Sequence, residues 1–168
     1  MTTFDLRTLR IRSGDEARER VEIELEPLLL AGQEYAPLPD PAPADLRVTR
    51  ASSGTVLELV LDVSLHGPCF RCLQDAELAL QLRLREYQAT KPESEDERTE
   101  YLEADRVDLS AWARDAIALA LPDQILCRAD CSGLCPVCGK DLNAEPHEHV
   151  EERADPRWAA LEALREAE

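Results

Sequence analysis

Six cysteines and two histidines carry most of the chemistry that this chain could perform. Cys69 and Cys72 form an isolated Cys-x-x-Cys pair, and a second such pair, Cys135 and Cys138, lies well downstream. Thiolates spaced by two residues can bind one metal ion, and sulfur together with imidazole nitrogen suits a four-coordinate zinc ion. The spacing therefore predicts one or two zinc ions per chain, with ligands drawn from Cys69, Cys72, Cys127, Cys131, Cys135, Cys138, His147 and His149.

Two arrangements of these ligands fit the spacing. In the first, Cys135 and Cys138 bind one zinc with His147 and His149, and the other four cysteines, Cys69, Cys72, Cys127 and Cys131, bind a second. In the simpler one, the two Cys-x-x-Cys pairs share one zinc, and the remaining cysteines and the histidines bind nothing. Disulfides are a third interpretation, which a reducing compartment disfavours.

Enzymatic interpretations of the same residues are weaker. The spacing of Cys131, Cys135 and Cys138 matches radical S-adenosylmethionine enzymes, but the chain lacks their length and alternating strand–helix units. A redox dithiol belongs at a helix start, whereas Cys69 and Cys72 lie between two strand patterns. A catalytic zinc keeps an open position and a general base, and His66 is better interpreted as a strand-end histidine. We therefore expect a structural metal, no enzyme activity, no catalytic residues and no small-molecule substrate.

Alternating leucines predict the elements that position the first pair. The segments 57–65 and 78–84 each alternate leucine or valine with polar residues, as half-buried strands do. Antiparallel pairing of the two would place Cys69 and Cys72 at a hairpin tip. Shorter strands are predicted over 21–25 and 46–50, and an irregular connector is predicted where prolines recur between Pro37 and Pro43.

One principal helix is predicted near residues 109–121, with Asp108 as its N-cap and Pro122 as its stop. Its expected apolar face is Leu109, Trp112, Ala116 and Leu119, with Ile117 and Leu121 on its flank. The charged segment 91–108 is predicted to be a solvated loop, and a short helix from Asp155 is predicted to dock through Trp158. The fold class is thus α+β: a curved, mainly antiparallel sheet over 1–126 and a zinc-binding segment over 127–168.

The composition of the chain indicates which class of partner it is expected to bind. The chain has 168 residues and a formal net charge of −16, so a route to RNA through a basic protein partner is favoured over a phosphate-binding surface. If RNA is contacted directly, the best candidates are Arg71, Arg83 and Arg85, although a solvated strand face paired with acids is the favoured interpretation of them. No signal peptide and no membrane-spanning run is apparent, so a cytoplasmic location is expected.

The motifs together resemble the YceD family, the bacterial large ribosomal RNA subunit accumulation proteins. The resemblance covers most of the chain from about Val21 onward. It rests on Cys69-Phe-Arg-Cys72-Leu73, the helix ending in Ala120-Leu121-Pro122, the segment Gly133-Leu-Cys135-Pro-Val-Cys138-Gly139, the pair Leu142-Asn143, and Asp155-Pro156-Arg157. Family members usually carry Cys-x-Cys where this chain has His147-Glu148-His149, an exchange that keeps the number of ligands.

The resemblance implies a cytoplasmic, non-enzymatic ribosome biogenesis factor needed for accumulation or processing of 23S ribosomal RNA. The expected partner is a large-subunit ribosomal protein or an rRNA maturation factor, with rRNA reached through it. A thiol redox or metal-transfer protein is the alternative, and it predicts exposed cysteines of low pKa. A transcription-associated zinc module acting through a polymerase-type partner is a third possibility.

Overall fold

The computed structural model describes residues 1–149, and the chain divides into two compact units. The first unit runs from Met1 to Cys131, and the second begins at Ser132, somewhat later than the division predicted from the motifs. The predicted C-terminal helix with Trp158 lies outside the described residues.

Within the described residues, the first unit contains nine strands and one α-helix, and every strand pair is antiparallel. One sheet has the order β1-β9-β8; the other has the order β2-β5-β6-β4-β3, with β7 also paired to β6. This confirms the predicted class. The elements are β1 (Thr3–Asp5), β2 (Glu16–Ile23), β3 (Leu28–Leu30), β4 (Gln33–Leu38), β5 (Ala42–Arg50), β6 (Gly54–Pro68), β7 (Asp75–Ala89), β8 (Leu102–Glu103), β9 (Arg106–Asp108) and α1 (Leu109–Ala120), with short 3-10 helices at Leu6–Leu9 and Glu95–Glu97.

The predicted hairpin is the longest feature of the fold. Strands β6 and β7 pair along their whole length, from Gly54 opposite Ala89 to Pro68 opposite Asp75. The alternating side chains of β6 are buried on one face, where Leu57, Leu59 and Leu61 have no exposed surface. Each such leucine stabilises the fold by roughly 1.5–3 kcal/mol through burial. The hairpin is therefore anchored by the core, and its six-residue tip carries the first Cys-x-x-Cys.

The prediction of an irregular connector was wrong at both of its ends. Pro37 lies in β4 opposite Leu65, and Pro43 lies in β5 opposite Glu22. At Pro37 the pairing of β4 with β3 has already ended, and at Pro43 the pairing of β5 with β6 has not begun. Each proline is thus paired on one side of its strand only, where a missing N–H leaves no ladder bond unmade.

The charged segment 91–108 was predicted to be a loop throughout, and this was wrong for its second half. Strands β8 and β9 form a hairpin that pairs with β1, and the side chain of Val107 is fully buried. Thr99 is buried as well. The partner strand β1 is about a hundred residues away in sequence, so local charge patterns could not indicate this pairing.

Helix α1 begins and ends as predicted, and the Asp108 carboxylate accepts a hydrogen bond from the Ala111 N–H. Its buried residues, however, are Leu109, Trp112, Ala113 and Ile117, whereas Leu119 is 89% exposed. The apolar face is therefore rotated toward the row that contains Ala113 and Ile117. Both rows fit a period of 3.6 residues, so only the packing could distinguish them.

Candidate metal centres

The hairpin tip that carries Cys69 and Cys72 has the backbone of a metal-binding knuckle. The Cys69 N–H donates to the Gln74 carbonyl at 2.7 Å, and the Leu73 N–H donates back to the Cys69 carbonyl at 3.0 Å. Leu73 adopts a left-handed conformation with φ of 63°. This turn points two sulfurs the same way, as binding one metal requires.

A second segment, after helix α1, supplies the other two sulfurs. The Phe70 N–H donates to the Ile125 carbonyl at 2.8 Å. Arg71 adds two bonds from its guanidinium, to the Gln124 side chain at 3.2 Å and to the Cys131 carbonyl at 3.0 Å. These bonds hold the segment that contains Cys127 and Cys131 against the hairpin tip.

The result is a group of four sulfurs, which we call site 1: Cys69, Cys72, Cys127 and Cys131, all within 4.8 Å of one another. The Cys69 and Cys131 sulfurs are 3.8 Å apart, and those of Cys72 and Cys127 are 3.6 Å apart. A disulfide requires about 2.0 Å, and all six cysteines are free. Four thiolates around one zinc would lie about 3.8 Å apart for Zn–S bonds of about 2.3 Å, so the spacing suits a tetrahedral metal.

The thiols of site 1 differ in pKa. Burial opposes ionisation of Cys69, but the N–H groups of Cys127, Cys72 and Arg71 stabilise its thiolate and lower its pKa to about 6. Desolvation and the neighbouring sulfurs raise the pKa of Cys127 to about 12. Four sulfurs this close cannot all be thiolates without a cation among them, so full ionisation of the group requires a bound metal.

The second unit repeats the same turn around Cys135. The Cys135 N–H donates to the Lys140 carbonyl at 2.8 Å, and the Gly139 N–H donates to the Cys135 carbonyl at 2.8 Å. Gly139 takes the left-handed position, with φ of 73°, that Leu73 occupies in the first knuckle. The N–H groups of Cys138 and Val137 lower the pKa of Cys135 to about 6, although desolvation opposes this.

A short turn brings two histidines to this knuckle. The Asp141 carboxylate accepts a hydrogen bond from the Asn143 N–H, and the Asn143 side-chain oxygen accepts one from the Ser132 N–H, at 2.9 and 2.8 Å. The chain then returns so that Cys135, Cys138, His147 and His149 place their ligand atoms within 4.8 Å of one another. We call this group site 2.

The orientation of His147 suits a metal ligand. Its Nδ1 lies 2.7 Å from the Glu145 carbonyl, and its Nε2 lies 3.1 Å from the Cys138 sulfur. A proton on Nδ1, donated to that carbonyl, leaves the Nε2 lone pair free for a metal, the arrangement common in metal-bound histidines. The Glu145 carbonyl, followed by the Cys135 sulfur, raises the pKa of His147.

The structure thus divides the eight predicted ligands into two groups, and the two Cys-x-x-Cys pairs fall in different units. Both groups could hold a metal ion; that they do so stays a prediction. The third histidine, His66, lies in β6 opposite Glu77, 3.6 Å from its carboxylate, and belongs to neither group.

Sequence reasoning missed the residues that support these groups. Arg71 was interpreted as part of a solvated strand face or as an RNA contact, but it links the hairpin tip to Cys131. Asp141 and Asn143 support the turn before the histidines. The one available signal was position, because Arg71 lies between two predicted ligands and Asn143 lies between the knuckle and the histidines.

Within residues 1–149, no helix is long and apolar enough to cross a membrane.

Comparison with known proteins gives one family. A family model described as "Large ribosomal RNA subunit accumulation protein YceD" matches residues 57–165, which include both groups. Uncharacterized proteins of Mycobacterium tuberculosis and Mycobacterium leprae are 42% and 33% identical over 70% and 72% of this chain. The uncharacterized protein YlbN of Bacillus subtilis is 30% identical over 64% of this chain and 66% of its own length. The chain spans 58% of the length of the mycobacterial relatives. No solved structure matches.

Proposed function

The chain belongs to the YceD family, whose model is described by the accumulation of large-subunit ribosomal RNA, and we propose that it is a non-enzymatic ribosome biogenesis factor. In this proposal it acts in the cytoplasm and is required for normal accumulation or processing of 23S rRNA. The family match is the observation that supports the proposal. We infer that the chain acts by binding a large-subunit ribosomal protein or an rRNA maturation factor rather than by catalysis.

A binding role agrees with the chemistry of the two groups. Each offers four protein ligands, which is the number that closes a tetrahedral structural zinc, whereas a catalytic zinc keeps one position for water or substrate. The ligands are thiolates and imidazoles, which suit zinc better than magnesium or calcium. We therefore assign one structural zinc to each group.

The two zinc ions would stabilise different parts of the chain. Site 1 joins the tip of the β6–β7 hairpin to the segment after α1, both within the first unit. Site 2 organises residues 132–149, where the described side chains provide little buried apolar surface. Metal binding then supplies folding free energy that a short segment cannot obtain from a core.

The charge of the chain supports a basic protein partner. At a formal net charge of −16, the chain attracts basic surfaces, and steering of this kind increases association rates. One groove of about 770 Å³ is lined by the carboxylates of Glu24, Glu26 and Asp40 and by two cationic groups, Arg114 and the Met1 ammonium, which pairs with Glu24. A lysine- or arginine-rich segment of a ribosomal protein would complement it.

The experiment that tests this function is removal of the gene from its own organism. We expect a lowered ratio of 23S to 16S rRNA and fewer large subunits on sucrose gradients, both restored by the wild-type gene. Affinity purification with and without ribonuclease then distinguishes binding to a protein partner from direct binding to RNA. Protein partners that survive ribonuclease support the proposed mechanism. An unchanged rRNA ratio and unchanged gradients would contradict the function.

One observation supports part of the alternative, a thiol redox or metal-transfer protein: Cys69 and Cys135 have pKa values lowered to about 6. Both are buried, however, and the exposed Cys127 has its pKa raised to about 12. Structural zinc predicts that all six thiols resist alkylation until a chelator is added. Alkylation of the purified chain without chelator, at the rate of free cysteine, would instead support the redox function.

The two knuckles allow a matched test of backbone strain. Leu73 and Gly139 occupy equivalent left-handed positions, Leu73 is 55% exposed, and a Cβ at Gly139 would contact nothing within 4 Å. We expect Gly139→Ala to weaken zinc binding at site 2 by about 1 kcal/mol, roughly 5-fold, since a side chain in this conformation costs about that much. Leu73→Gly is expected to strengthen site 1 by up to the same amount. Competition with a chromophoric chelator measures both affinities, and tighter binding by Gly139→Ala or weaker binding by Leu73→Gly would contradict the shared geometry.

A further inference from the structure

An arginine-rich surface lies on the face of the larger sheet opposite the leucine core. Two adjacent rows of the strand register cross β2, β5, β6 and β7 there. The first row is Arg18, Arg47, Glu58 and Arg85, and the second is Arg20, Asp45, Val60 and Arg83. We call these eight residues the arginine face.

The arginine face has the opposite charge to the rest of the chain. It carries five guanidinium groups against two carboxylates, an excess of three positive charges on a chain of formal net charge −16. Carboxylates lie at both margins: Glu16 contacts Arg18 and Arg47 on one side, and the exposed Glu22 and Asp62 follow on β2 and β6 on the other. The positive charge is thus confined to the two arginine rows, a narrow surface that suits a local anionic ligand.

Three of the five arginines are held loosely by carboxylates or not at all. Arg20 lies 3.6 Å from Asp45 and Arg85 lies 4.0 Å from Glu58, with side chains 82% and 72% exposed. Arg83 makes no ion pair with any residue in the described part of the chain. Exposed ion pairs of this kind contribute little to stability, so the guanidinium groups can exchange them for a stronger ligand.

The geometry of the face arranges its charges in two lines. Arg18 and Arg20 lie on β2, Arg83 and Arg85 lie on β7, and Arg47 lies with the two acidic side chains on the strands between them. Three interstrand steps separate β2 from β7, about 14 Å at about 4.8 Å per step. The rows line a groove of about 680 Å³. An anion along the centre would meet Asp45 and Glu58 against Arg47 alone, whereas two anionic backbones, one per line, would each meet two arginines.

We propose that the arginine face binds the two phosphodiester backbones of double-stranded RNA. Guanidinium groups bind phosphates with paired, charge-assisted hydrogen bonds, and duplex RNA is recognised mainly by shape and by backbone contacts. The identification of that RNA as large-subunit rRNA rests on the proposed function.

An acidic protein segment is the competing occupant, and the face suits it less well. Protein interfaces have an apolar core, but the only apolar side chain of the eight is Val60. The two lines of arginine also leave the centre acidic, so a single acidic peptide could not contact both without passing Asp45 or Glu58.

The test compares two triple variants of equal net charge. Arg20→Gln/Arg83→Gln/Arg85→Gln removes the three arginines of the face with the weakest or no ion pairs. Arg12→Gln/Arg98→Gln/Arg106→Gln removes three exposed arginines elsewhere in the first unit. All substitutions are at exposed positions, and circular dichroism checks that both variants fold. Binding of a fluorescein-labelled duplex from 23S rRNA is measured by anisotropy over a range of salt concentrations.

Four phosphate contacts, one for each arginine of the two lines, predict that the affinity of the wild-type chain falls roughly 150-fold between about 50 and about 200 mM salt. The face variant, with Arg18 as the one contact left, is expected to bind at least about 10-fold more weakly at the lower salt and to lose only about 3.5-fold over the same range. The control variant should match the wild type in both respects.

Three results would overturn the proposal: no duplex binding by the wild type at low salt, equal weakening by both variants, or tighter binding of the single strand than of the duplex. Loss of a ribonuclease-resistant protein partner by the face variant alone would assign the face to an acidic protein instead. These outcomes are separate from the proposed function. A gene deletion that still lowers 23S rRNA, with no duplex binding in solution, would retain the function and reject the arginine face.

Discussion

Replacement of Cys69 and Cys72 together by serine is expected to remove one zinc ion per chain and to destabilise the first unit by about 3–5 kcal/mol. A structural zinc supplies about 10–16 kcal/mol in peptides that fold only with metal, but this unit has its own leucine core and should retain a folded sheet. Positions 69 and 131 are 0% and 1% exposed, so the variant buries a serine hydroxyl at position 69 and leaves the Cys131 thiol buried without the metal. Loss of metal is among the few changes that reach this magnitude.

The measurements are zinc per chain by mass spectrometry and thermal unfolding followed by circular dichroism. A loss of this size corresponds to a fall in the unfolding midpoint on the order of 10 °C or more. The matched variant Cys135→Ser/Cys138→Ser should also lose one zinc, but it should leave the main transition nearly unchanged because the site 2 ligands all lie in the second unit. An equal effect of both variants on the main transition would contradict the assignment of one site to each unit.

Replacement of His147 and His149 together by alanine is expected to remove one zinc per chain and leave the other. The two imidazoles are half of site 2, and the Nδ1 of His147 is already directed to the Glu145 carbonyl. Two thiolates without them bind zinc far more weakly, since a closed site requires four ligands. The first unit should unfold at its wild-type temperature.

Two controls sharpen this experiment. His66→Ala removes the third histidine of the chain, which lies beside Glu77 in neither group, and should retain both zinc ions. His147→Cys/His149→Cys replaces the imidazoles by thiols, as in the Cys-x-Cys typical of the family the sequence resembles, and should also retain two. Loss of neither zinc, or of both, in the alanine variant would rule out the pairing of ligands.

The sequence by itself was enough for the local elements. Alternating leucines in 57–65 and 78–84 predicted two strands, and the strands pair as expected with Cys69 and Cys72 at their tip. The Asp108 N-cap and Pro122 delimited α1. These succeed because a period of two residues, a capping side chain and a helix-breaking ring act on their immediate neighbours.

Tertiary structure decided everything that depends on residues far apart in the chain. The eight candidate ligands were predicted from their type, and spacing allowed two arrangements of them; the return of the chain after α1, bonded through Phe70 and Arg71, favours the arrangement in two groups. The pairing of β1 with β9 brought part of a charged segment into a sheet, and packing rather than periodicity left Leu119 exposed.

The arginine face is the clearest example of this limit. Its arginines lie singly or in pairs on three strands; the sequence singled out Arg83 and Arg85 as candidate RNA contacts but gave no sign that Arg18, Arg20 and Arg47 lie beside them. The strand register places them side by side, because neighbours across a sheet lie about 5 Å apart however far apart they are in sequence. Residue types and short spacings fix what chemistry is available, whereas the register and the long loops decide which groups meet.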